Sequence, residues 1–177
     1  MRIAVGGEEL KRTFQGLAEQ TFQVDLGIAD PGLIDYLSDL LVRFIRVDAI
    51  FKVRNLEGER LEEVVAMLSE AQQRTGTPQR EIYRHIGDFT LFWTGVYPEQ
   101  LRELKHPSRR DFLIDYQQQG KRSYSIASSL EIEESNSLLL HRLSREFETC
   151  SFGLRKVREA WSRLGKPTSD SWDPDQN

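Results

Sequence analysis

One cysteine and three histidines among 177 residues leave little material for the commonest side-chain chemistry. Cys150 alone cannot close an internal disulfide or build a cysteine metal cluster, so nothing points to an oxidising compartment. No apolar run approaches the roughly 20 residues that a membrane helix needs. Met1 to Val5, with one basic residue before Gly6-Gly7, falls short of the h-region of about 7 to 15 residues in a signal peptide. The expectation is a soluble cytoplasmic protein that does not enter membranes. The G-x-S-x-G, P-loop and G-x-G-x-x-G patterns are absent, which removes the common nucleophile and nucleotide signatures. An excess of basic charge is missing too. The net charge of -4 and a pI near 5.5 argue against nucleic-acid binding by phosphate neutralisation. Residues 77–165 are slightly positive and 1–76 acidic, an asymmetry too small to name a partner.

What the chain does have is helical periodicity. Leu140, Leu143, Phe147, Cys150, Leu154, Val157, Trp161 and Leu164 recur at spacings of three and four, the apolar seam of an amphipathic helix. Five earlier segments carry the same period. The first spans Glu8 to Gln20, with Gly27 marking a break. Asp30-Pro31 reads as an N-cap with proline at the first helical position, opening a helix through Leu33, Phe44, Val47 and Phe51. Asn55 to Gly58 is a turn, and a third helix runs through Leu61, Val64, Leu68 and Ala71. Thr77-Pro78 opens the fourth, apolar on nearly every side after Gly87 and therefore central. Ser108 and Asp111 resemble a capping box for the fifth, whose inner positions are Leu113, Tyr116, Gly120, Ser123, Ala127 and Leu130. Its small middle residues form a groove for Phe147 and Trp161 of the sixth helix, Glu133 to Leu164. The fold class is thus all-α: a single-domain bundle of about six helices over residues 1–165, followed by a disordered polar tail, 166–177, that includes Trp172.

Candidate chemistry is sparse. Glu81, His85 and Asp88 lie at i, i+4 and i+7 on one face of the fourth helix, so they are the candidate catalytic residues. His141 could join them in a metal site only if its helix were adjacent; the paired Glu-x-x-His pattern of di-metal bundles is missing, and no metal or cofactor is expected. The more ordinary role for His85 and Asp88 is as buried polar groups with hydrogen-bond partners. His106 has no acidic or nucleophilic neighbour, and Cys150 sits inward, where a thiol behaves as a small hydrophobe. Trp93, Tyr97, Tyr116 and Tyr124 are candidate ligand-binding residues, since aromatics can line an apolar pocket, though at helical spacing they also serve as core. Arg109-Arg110 and Lys121-Arg122 could hold an acidic group or simply form surface.

From Ile86 to Tyr124 the chain carries Gly87-Asp88, Leu91-Phe92, Gly95 and Pro98-Glu99, then Gly120 and Tyr124. This segment resembles a group of bacterial all-helical proteins that share a GD-x2-LF-x2-G-x2-PE pattern and have no established activity. It departs from them at Trp93-Thr94 and Asp115-Tyr116 and covers less than a quarter of the chain. The resemblance implies a bacterial helical protein and transfers no catalytic residue.

The functional expectation is a non-enzymatic protein acting through protein contacts, with a protein partner or a second copy of itself. A final helix of about 32 residues, roughly 48 Å long, would leave an end free to pair. The alternatives are a small-molecule or lipid-binding helical protein, or a carboxylate/histidine metal-dependent enzyme.

Overall fold

A computed structural model describes residues 7–45 and 50–164. Among the described residues there are eight α-helices, short π and 3-10 segments, no strand, and one antiparallel bridge between Arg54 and Arg60. The all-α class therefore holds. Gly6, Val47, Gly165, Pro167 and the 166–177 tail with Trp172 lie outside the described residues. Contacts divide the chain into two units, residues 1–50 with 153–177 and residues 51–152.

In the first unit, α1 (Gly7–Ala18) buries Phe14 and Ala18 and continues as a π-helical segment, Glu19–Asp25, that buries Thr21 and Phe22. Gly27, at φ +69, ends this run in a left-handed conformation that suits glycine. Asp30 caps α2 (Pro31–Phe44) by accepting a hydrogen bond from the Leu33 N–H at 3.1 Å, with Pro31 at the first helical position. The helix buries Leu33, Leu37, Leu40, Leu41 and Phe44, and Lys11 meets Asp39 at 3.0 Å across the α1–α2 pair. It stops at Phe44, short of the expected Phe51. Gly153 lies so close to the Phe22 ring that a Cβ there would collide with it. The Trp161 ring sits 5.1 Å from that of Phe14.

In the second unit, the Leu61 N–H donates to the Val53 carbonyl, and Gly58, at φ +81, closes the intervening turn. There follow α3 (Val64–Gln72), α4 (Gly76–Gly95), a 3-10 turn at Pro98–Gln100, α5 (Leu101–Leu104) and a second 3-10 turn, Arg110–Leu113. Helices α6 (Tyr116–Leu130) and α7 (Glu134–Arg145) come next. The last helix, α8 (Phe147–Arg163), begins in this unit. As expected of a segment apolar on nearly every side, α4 is central: all residues from His85 to Trp93 are buried. It packs most closely on α6. A Cβ on Gly87 would stand 2.6 Å from the Tyr124 ring, and one on Gly120 would meet Thr90 and the Phe147 ring at 2.5 Å. Gly120 thus gives Phe147 the close approach that its place on the groove predicted.

The single long sixth helix is corrected. It is two helices, α7 and α8, separated at Glu146, whose φ of -106° and ψ of 25° leave the helical region. The apolar spacing could not reveal this break. The Glu146 N–H still donates to the Arg142 carbonyl and the Cys150 N–H to the Glu146 carbonyl, so the register of inward positions passes through unchanged. Leu140, Leu143, Phe147, Cys150, Leu154 and Val157 are accordingly all buried. Two further boundaries shift. The third helix begins at Val64 rather than near Leu61, and the fourth at Gly76, ahead of Thr77-Pro78.

Candidate functional site

The three candidate catalytic residues on α4 differ in burial. Glu81 lies at the surface, 3.4 Å from Arg80 and 3.8 Å from Arg84. His85 is fully buried, its ring 6.2 Å from that of Phe89. Asp88, also buried, accepts a hydrogen bond of 2.7 Å from the Tyr124 hydroxyl of α6. One turn of helix separates each from the next, and packing sends Glu81 to solvent and the other two into the core. His141 is exposed on α7. Among the described residues no three His, Cys, Asp or Glu side chains are grouped so as to hold a metal ion.

The aromatic candidates are packed on one another. Trp93 lies 5.4 Å from Phe92, 6.2 Å from Phe89 and 6.3 Å from Tyr97, in the tilted and edge-on geometries that aromatic quadrupoles favour. Tyr124 joins Asp88 and packs 6.3 Å from Phe147. Cys150 is buried, and that burial pushes its thiol from 9.0 up to about 12, the direction of an inert thiol rather than a nucleophile.

A heavily used buried polar group, Asp111, was not among the candidates. Asp111, in the 3-10 turn, is buried and accepts three hydrogen bonds: Val64 N–H at 2.8 Å, Val65 N–H at 2.9 Å and Tyr116 hydroxyl at 2.6 Å. It serves as the N-cap of α3, whose own N-cap residue, Glu63, makes no side-chain cap bond. Glu63 instead accepts from the Arg110 N–H at 2.7 Å. Burial, then the Asp111 carboxylate, pushes the Tyr116 hydroxyl upward, which keeps it a donor. The Ser108–Asp111 capping box is therefore corrected. Ser108 pairs with His106, 2.8 Å away, while α6 starts at Tyr116 and is capped by Asp115 through the Gln118 N–H. A carboxylate three residues after a serine fits the local signature, but its oxygens reach a helix 46 residues earlier in the chain.

This clamp fixes a short turn whose apolar residues face out. Leu113, expected inward on the fifth helix, is 86% exposed, because the helix begins three residues later; Phe112 beside it is 47% exposed. Arg109 and Arg110 precede them. Elsewhere in the unit, Lys121 meets Glu148 at 2.7 Å and holds its carboxyl below the usual range, so one member of the second basic pair is engaged between α6 and α8.

No family model matches the chain, no curated protein matches its sequence, and no solved structure matches it.

Proposed function

We propose that the protein acts without catalysis, through contact with another protein, in the first instance a second copy of itself, in the cytoplasm. The observation that carries this reading is the Arg110–Leu113 turn. A single exposed apolar residue is ordinary, but here two adjacent large ones stand in solvent on a segment whose backbone is fixed by Asp111 and Glu63. Covering them gains about 25 cal/mol for each Å² removed from water, with little ordering cost because the turn is already set. Among the described residues no helix is long and apolar enough to cross a membrane. The length of the final helix no longer supports pairing, since α8 has 17 residues. Support for a pocket beneath α4 is weaker, since Trp93, Tyr97, Tyr116 and Tyr124 each have a ring or carboxylate neighbour, and support for a metal-dependent enzyme is weaker because Glu81 lies at the surface while His85 and Asp88 are buried. The resemblance of the Gly87–Glu99 segment favours a bacterial source.

Sedimentation velocity of the full chain against the double variant Phe112→Ser, Leu113→Ser tests the reading. Concentration-dependent self-association that the double variant loses, with its urea midpoint unchanged, is the expected result. A monomer at every concentration, or association that survives the double substitution, counts against self-contact through this turn.

A further inference from the structure

A second fixed apolar spot lies in the same unit, where α6 gives way to α7. Ile132, between the two helices, is 90% exposed, and Leu138, on α7, is 62% exposed. The backbone that carries Ile132 is held much as the Arg110–Leu113 turn is. One Glu131 carboxylate oxygen accepts from the Ile132 N–H at 3.0 Å and the Glu133 N–H at 3.4 Å, and Arg80 of α4 meets the same oxygen at 3.4 Å. Glu134 stands four residues before Leu138, on one face of α7. Two exposed acidic side chains, Glu133 and Glu134, thus accompany the apolar pair.

The two spots carry opposite charge. From Arg102 to Leu113 there are four basic side chains against two acidic ones, Glu103 and Asp111, and the sign stays positive when Glu63, bonded to the Arg110 N–H, is added. From Glu131 to Leu138 there are three acidic side chains and no basic one, and the sign stays negative when Arg80 is added. Arg102, Lys105, Arg109 and Arg110, like Glu133 and Glu134, make no ion pair among the described residues. A second copy that met the turn with its own turn would set arginine against arginine. One that meets it with the Ile132–Leu138 surface sets arginine against glutamate and apolar against apolar. The two spots lie at opposite ends of α6, whose 15 residues span about 22 Å at 1.5 Å per residue, so a chain cannot cover its own turn with its own surface.

We propose that a second copy receives the Phe112 and Leu113 turn on its Ile132 and Leu138 surface, with Arg109 and Arg110 facing Glu133 and Glu134. This rests on the self-contact reading above and names the face that the turn meets. Sedimentation velocity of the full chain from about 10 μM to 1 mM compares the wild type, the turn variant Phe112→Ser, Leu113→Ser, the surface variant Ile132→Ser, Leu138→Ser, and an equimolar mixture of the two variants. Each variant alone associates about tenfold or more weakly than the wild type, with its urea midpoint unchanged. The mixture regains association as a one-to-one pair, because the turn variant still offers an intact surface and the surface variant an intact turn. Raising salt from about 50 to 500 mM weakens wild-type association, the reverse of what two turns bearing like charge would show. If the turn variant loses association and the surface variant keeps it, the self-contact reading stands and this proposal is overturned. A mixture that stays monomeric, or wild-type association that salt leaves unchanged, overturns it too. A wild type that is monomeric throughout, or a turn variant that associates like the wild type, overturns both.

Discussion

Asp111 joins three donors from two other segments, and its removal should be felt more than that of any partner. Asp111→Ala orphans two backbone N–H groups at the start of α3 and a buried hydroxyl, and should lower unfolding free energy by about 3 kcal/mol. Tyr116→Phe removes one of the three bonds and should cost about 1 kcal/mol. Urea unfolding of both variants checks the order; an Asp111→Ala loss no larger than that of Tyr116→Phe contradicts the clamp. Cys150 gives a second residue-scale prediction. Its thiol ionises near 9.0 when unfolded and near 12 when buried, so between those values the native state holds a proton that the unfolded state has lost. Stability is therefore unaffected below about pH 9 and falls as pH rises, by at most about 1.4 kcal/mol per unit. Tyr116 acts in the same direction above its ordinary value of 10.0. Cys150→Ala should flatten the decline between pH 9 and 10, and a thiol reagent should label the wild type only as fast as it unfolds. At this scale the sequence was partly legible. The Asp30 cap and the inward Cys150 follow from local pattern, whereas the reach of Asp111 depends on which helix start the chain brings beside it.

Among the elements, the α4–α6 crossing rests on missing side chains. Alanine is a better helix former than glycine by roughly 1 kcal/mol, yet Gly87→Ala and Gly120→Ala place a methyl against Tyr124 or against Thr90 and Phe147. Both should destabilise by about 1–3 kcal/mol as the rings are displaced. Gly16, with nothing within 4 Å of its Cβ position on α1, is the control, and Gly16→Ala should stabilise by up to about 1 kcal/mol. Thermal unfolding of the three variants reads the contrast directly; equal shifts at Gly16 and Gly120 would deny the close approach. The small residues of α6 announced this groove in the sequence, because glycine and alanine at inward positions have few other uses. The break at Glu146 did not, since neither proline nor glycine stands there and the apolar register continues through it.

For the whole molecule, the helical class was readable because 3.6-residue periodicity persists through nearly every segment, and the core positions on α2, α4 and α8 follow from it. The side-chain roles were not, because periodicity places a residue on a face without saying what meets it. Asp88 and Tyr124, separate candidates for different chemistries, turn out to bond to each other. Leu113 fits an inward register and lies outside the helix altogether. Among the apolar side chains the described residues leave in solvent, Phe112 and Leu113 stand together on a turn fixed by Asp111 and Glu63. Site-specific photo-crosslinking from position 113 in living cells, with exposed Gln118 as the control position, addresses that most directly. The account predicts one discrete protein adduct from position 113, a second copy of the chain or a single other protein, and none from position 118. No adduct from either position, or the same adducts from both, would contradict it.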